Sequence, residues 1–159
     1  MTQTYKIQNF PELTITGYAA KLPLPTMDNL KEVSAQKSHH FMTIGQSGQF
    51  STLMQASRDK IGYALSGATD DYLEYFAGAN TTATPADTTT RTLPAGDYIV
   101  LKGQGGPSRQ LFDQLISQFF GTILPADPHL YPKDSFVIEA LLNGNPNDAV
   151  VELRIPVNH

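Results

Sequence analysis

The chain contains no cysteine. That excludes disulfides, thiolate metal sites and a cysteine nucleophile. It also has no apolar run approaching the roughly 20 residues that a membrane-spanning helix needs. The opening Met1-Thr2-Gln3-Thr4-Tyr5-Lys6 has no basic region followed by an apolar stretch, so no secretory signal is read there. Positive charge is sparse: 11 Lys and Arg stand against 15 Asp and Glu, for a net charge of −4. The basic residues are scattered, and without a basic stripe direct nucleic-acid binding is not expected. A cytoplasmic location with no membrane partner is the default.

Several chemical signatures are missing too. His39-His40 is the one adjacent histidine pair. Neighbours on a helix point about 100° apart, which suits solvent exposure better than chelation. No metal and no cofactor are expected. Gly103-Gln104-Gly105-Gly106-Pro107 has the glycines of a phosphate-binding loop but not its lysine-serine/threonine pair, and reads as a tight turn into a helix. No serine sits in a Gly-x-Ser-x-Gly elbow. No catalytic residue is assigned.

What is present fits one domain, residues 1–159, long enough for a sizeable core. Leu13 to Ala20 reads as a strand ended by Pro23 and Pro25. Thr26 is placed to cap a helix from Met27, with Asp28 in its first turn and Met27, Leu30 and Val33 at helical spacing. Gly45 and Gly48 interrupt the pattern before a short helix around Phe50, Leu53 and Met54. Ile61–Leu65 and Tyr72–Gly78 read as strands joined by a turn, and the threonine-rich stretch from Ala79 to Thr92 as a loop. Tyr98–Lys102 is another strand. Pro107 then opens the first turn of a helix carrying Leu111, Phe112, Leu115, Ile116, Phe119 and Phe120, stopped by Gly121 and Pro125. Two last strands follow, Ser135–Leu142 and Ala149–Ile155, separated by a loop through Gly144 and Pro146.

The order is strand, helix, strand, strand, repeated once. The expected fold is α+β, with duplicated strand-helix-strand-strand halves forming antiparallel sheets and a ligand cleft between them. In the strand from Ser135, Phe136, Ile138 and Ala140 share one face, while Val137, Glu139 and Leu141 share the other. A carboxylate between two aliphatics has two readings. One is a half-exposed face carrying a stray charge. The other is a carboxylate at the bottom of an apolar pocket, awaiting a cation.

The Tyr72–Gly78 strand, Leu93-Pro94-Ala95-Gly96-Asp97-Tyr98, Gly105-Gly106, Phe136-Val137-Ile138-Glu139 and Glu152-Leu153-Arg154-Ile155-Pro156-Val157 stand together in an order and spacing that resembles the GyrI-like small-molecule-binding domain, the effector-binding domain of AraC-type and multidrug-responsive bacterial regulators. The resemblance covers nearly the whole chain. It implies that Glu139 lies in an aromatic-lined pocket between the halves and meets lipophilic cations. It favours the second reading of Glu139. Three departures stand out: Leu141 where many members have tyrosine, Arg154 where many have an aromatic, and no tryptophan anywhere.

On this reading the ligand-binding candidates are Glu139, flanked by Val137 and Leu141, with Tyr72, Tyr75, Phe76 and Tyr98 as wall aromatics. By alternation only one set faces the cleft, either Tyr72, Glu74 and Phe76 or Leu73, Tyr75 and Ala77. If Arg154 turns into the cleft, it pairs with Glu139 and cancels its charge. An empty apolar pocket is expected to raise the Glu139 pKa, and a bound cation to lower it again. The implied function is a free-standing binding protein for a hydrophobic, cationic small molecule, acting as effector sensor or sequestering agent. The alternatives are hydrolysis of a strained electrophile by pocket carboxylate and tyrosine, or docking on a protein partner.

Overall fold

Two kinds of residue period, two and 3.6, divide this chain into its elements. The computed structural model describes residues 5–26, 28–82, 84–85, 87–131, 135–145 and 147–157. In chain order they form β1 (Lys6–Phe10), β2 (Leu13–Leu22), α1 (Leu30–Gln46), α2 (Gln49–Ala56), β3 (Gly62–Ala68), β4 (Leu73–Ala79), β5 (Thr89–Leu93), β6 (Gly96–Gln104), α3 (Ser108–Gln118), α4 (Leu124–Ala126), β7 (Phe136–Leu141) and β8 (Val150–Pro156). A π-helical turn, Phe119–Ile123, joins α3 to α4.

The strands make one antiparallel sheet in the order β1-β6-β8-β7-β3-β4-β2-β5. One half contributes β2, α1, α2, β3 and β4; the other contributes β6, α3, β7 and β8. They meet at the seam where β3 pairs with β7, with Ala64 opposite Glu139 and Leu65 opposite Ile138. The expected duplication is present, and the two sheets are fused into one. Each half is completed by the strand that precedes the other: β1 pairs with β6, and β5 with β2.

The helices cover one face of the sheet. Ile99, Leu101, Val151, Leu153 and Ile155 pack under Phe112, Leu115 and Phe119. In the other half Leu73, Tyr75 and Ala77 pack under Val33, Ile44 and Leu53. The opposite face curls over itself to bury Tyr63, Leu65, Phe76, Tyr98 and Ile138 without a helix.

Several boundaries differ from the sequence reading. β1 was not foreseen, and β5 lies in what reads as a loop. Both are edge strands with mostly exposed, polar side chains, so neither carries apolar alternation. α1 begins at Leu30 with Asn29 at its N-cap position. Thr26 is spent in a local turn instead, its Oγ1 accepting from the Asp28 amide and its own amide donating to Asn29 Oδ1 at 2.7 Å. Gly45 lies inside α1; the break falls at Gly48, whose φ of 81° only glycine adopts at little cost. Pro107 precedes α3 in extended conformation rather than opening it. Gly121 does not stop the helical path, which passes through it as the π turn. Met27 and Pro146 lie outside the described residues.

Candidate functional site

Glu139 points from β7 toward the helices, and its side chain is 1 % exposed. A carboxylate so buried must be met by donors. Arg109, in the first turn of α3, supplies two of them in a bidentate fork: Nη1 donates to Oε1 at 3.1 Å and Nη2 to Oε2 at 2.7 Å. The Tyr75 hydroxyl, from β4, donates to Oε1 at 3.1 Å. Lys37, from α1, places its Nζ 3.7 Å from Oε2. Both halves of the fold therefore converge on one carboxylate.

The group extends to the surface. Arg109 Nε donates to Asp113 Oδ1 at 2.9 Å, and the Ser34 hydroxyl on α1 donates to Asp113 Oδ2. This last bond ties α1 to α3 across the cleft. Behind Tyr75, His40 packs edge-on at 5.9 Å and holds its own Nε2 2.9 Å from the Tyr18 carbonyl.

A cleft of about 330 Å³ opens above this group. Lys37, Ser38, Phe41 and Met42 of α1 line one side. Ser108, Arg109 and Phe112 of α3 line the other, with Ala64, Tyr75, Glu139 and Leu141 from the sheet below. Aromatic and aliphatic carbon supplies most of the wall, with the ion group at the floor and Ser38, Ser108 and Asn147 as further polar lining.

The electrostatics reverse the expectation of a raised carboxyl pKa. Burial pushes Glu139 up, but the charges of Arg109 and Lys37 and the hydrogen bonds from Arg109 and Tyr75 outweigh it, and the carboxyl sits below its usual range. Burial and the neighbouring carboxylate hold Tyr75 well above its ordinary value, so it remains a phenol that donates. Burial lowers Lys37, against the opposing pull of Glu139.

The sequence candidates divide between the two faces of the sheet. Glu139, Tyr75 and Leu141 line the cleft. Val137 shares their face but is packed into the core under α3. Tyr72, Phe76, Tyr98 and Arg154 lie away from the cleft. Lys21 stacks over the Tyr72 ring at 4.9 Å, and Arg91 over Phe76 at 5.0 Å. Tyr98 donates to the Pro94 carbonyl at 2.7 Å.

Arg154 is buried on the helix-free face, bound through Nε and Nη2 to Glu152 Oε1 and stacked 4.3 Å over Phe10. It cannot reach Glu139, which projects from the opposite face. Arg154 and Tyr98 instead line a separate cavity of about 260 Å³ there. The cations that do neutralise Glu139, Arg109 and Lys37, were missed in the sequence. The available signal was Lys37 lying on the apolar stripe of α1 between Val33 and Ile44.

A duplicated α+β fold, with a cleft between its halves built around a buried glutamate, defines a GyrI-like effector-binding protein. The chain belongs to the Cass2 family of integron-associated effector binding proteins, whose sequence pattern it matches over residues 6–157. The sequence matches no curated protein.

Among solved structures, a bacterial transcription regulation protein from Staphylococcus aureus MU50 superposes with a TM-score of 0.76 at 15% identity, covering 98% of both chains. SAV2435, solved bound to tetraphenylphosphonium, gives a TM-score of 0.80 at 16% identity, covering 98% of this chain and 94% of its own. An integron cassette protein of the Vibrio cholerae mobile metagenome gives 0.59 at 16% identity, covering 98% of this chain and 97% of its own. At these identities the likeness is one of fold.

Proposed function

We propose that this chain is a small-molecule binding protein whose ligand occupies the cleft between α1 and α3, acting as an effector sensor or sequestering agent linked to transcription regulation. The observation that carries this is the cleft of about 330 Å³, apolar at its walls and charged at its floor, at the seam of the two halves. Burial of an aromatic body against Phe41, Met42 and Phe112 would supply the affinity, at roughly 25 cal/mol per Å² before the costs of association. The charged floor would supply selectivity.

Binding is favoured over hydrolysis. Both Glu139 oxygens already accept from Arg109, and one also accepts from Tyr75, so the carboxylate is not poised as a base over a water. The lipophilic cation suggested by the sequence remains one occupant, supported by the tetraphenylphosphonium on SAV2435. In this chain such a cation would have to displace Lys37 or Arg109 from Glu139.

Thermal unfolding with tetraphenylphosphonium, 2-naphthoate and 2-naphthamide tests the reading. A probe at about 100 times its Kd adds about 2.7 kcal/mol of stability, a shift of several degrees for a chain of this size. Ser38→Trp, at a half-buried position on the cleft wall, fills the cavity and is expected to abolish the shift. If no probe moves the wild-type midpoint, or Ser38→Trp responds like wild type, the cleft is not the ligand site.

A further inference from the structure

Lys37 is a largely buried ammonium whose ion pair with Glu139 is long. Its side chain is 8 % exposed, yet its contact with Glu139 is a 3.7 Å ion pair, beyond hydrogen-bonding range. The carboxylate it faces is already taken, by two N–H groups of Arg109 and the Tyr75 hydroxyl. Its other neighbour is the Tyr75 ring, 5.6 Å from Nζ. An ammonium has three donors and no acceptor. Burial lowers its pKa against the pull of Glu139, so a further acceptor would favour the charged form. The same lysine lines the cleft.

The charge count points the same way. Lys37 and Arg109 contribute two positive charges to the cleft lining and Glu139 one negative. Among the described residues the one further carboxylate bonded to this group, Asp113, lies outside the lining and is 40 % exposed at its side chain. A cation entering the cleft would therefore meet a lining of net positive sign and a carboxylate with its lone pairs occupied. An anion would meet an ammonium whose ion pair with Glu139 is long.

We infer that the cleft takes an aromatic or aliphatic anion, a carboxylate or its equivalent, whose oxygens bond Lys37 while its apolar body lies against Phe41, Met42 and Phe112. Lys37 is thus the specificity-determining residue, and Glu139 holds Lys37 and Arg109 in place rather than meeting the ligand itself. The inference rests on the cleft being the ligand site.

Calorimetric titration with three isosteric probes tests it: 2-naphthoate, 2-naphthamide and 2-naphthylmethylammonium, on wild type, Lys37→Met and Lys37→Gln. In wild type the carboxylate binds roughly tenfold to a hundredfold tighter than the amide, the range of a hydrogen bond to a charged partner, and the ammonium binds weakest. In Lys37→Met the carboxylate preference disappears, and carboxylate and amide bind within a few-fold of each other. Lys37→Gln, polar but uncharged, also levels the carboxylate and the amide.

Tighter binding of the ammonium probe, or of tetraphenylphosphonium, overturns the inference and leaves the cleft as the site. A carboxylate preference that survives in Lys37→Met also overturns it. Failure of every probe to bind removes both the inference and the cleft reading.

Discussion

Glu139 illustrates how one side chain organises its surroundings. In the sequence it is a charge inside an apolar strand; in the fold it accepts hydrogen bonds from Arg109 and Tyr75 and pairs with Lys37, three residues from three different elements. A buried pair of this kind is strongly destabilising to break, because the partner is left charged and dry. Arg109→Met is expected to cost about 3–5 kcal/mol. The double variant Arg109→Met/Glu139→Gln should cost less than the sum of the single changes, with a coupling above about 1 kcal/mol in urea unfolding. Additive effects would mean that the fork is not formed in solution. The pH dependence has a definite sign. A carboxyl whose folded pKa is depressed stabilises the fold above its unfolded value, here 4.5, and that stability is lost as the pH falls through the folded pKa. The stability gap between wild type and Glu139→Gln should therefore narrow below about pH 4.5. A gap that stays constant down to pH 2 would contradict the depressed pKa.

At the scale of elements, the buried strands and the apolar helix faces were legible in the sequence, and the polar edges were not. β7 reads directly, because Phe136, Ile138 and Ala140 alternate with Val137, Glu139 and Leu141. β1 and β5 do not, because they are held by backbone hydrogen bonds at the sheet edges and expose polar side chains such as Thr90 and Gln8. The site was half legible for a related reason. Alternation shows that Tyr75 and Phe76 lie on opposite faces, but not which face the helices cover. The closest approach in the sheet was equally hidden. Gly17 and Gly78 are paired across β2 and β4, where a Cβ on Gly78 would lie 2.2 Å from the Thr16 carbonyl oxygen. No side chain fits against rigid backbone there. Gly78→Ala should rank among the most damaging single changes, at about 4 kcal/mol or more. Gly45→Ala is the matched control. It lies within α1 with nothing within 4 Å of its would-be Cβ, and should stabilise by about 0.5–1 kcal/mol. Comparable effects at the two positions, read from denaturant midpoints, would refute the close backbone approach of β2 and β4 at this pair.

At the scale of the whole molecule, three features tie the halves together. The β3–β7 seam continues one sheet through both. The exchanged edges, β1 on β6 and β5 on β2, make each half incomplete without the other. The Ser34–Asp113–Arg109–Glu139 chain of hydrogen bonds joins the helical layers above the seam. Neither half then retains its full set of strand partners if the other unfolds, and the chain should melt as one unit. The absence of tryptophan makes this measurable, since an introduced indole reports against a background without other indoles. Phe50→Trp reports on the first half, where Phe50 packs against Phe41 at 4.9 Å between ring centres. Phe120→Trp reports on the second, where Phe120 packs against Phe119 and Tyr131. Their urea transitions should share one midpoint and one slope, and both should coincide with loss of backbone circular dichroism. A cleft ligand that contacts α1 and α3 together should then move both transitions by the same amount. Separated midpoints would mean that the seam is weaker than its pairing suggests, and that a ligand could order one half without the other.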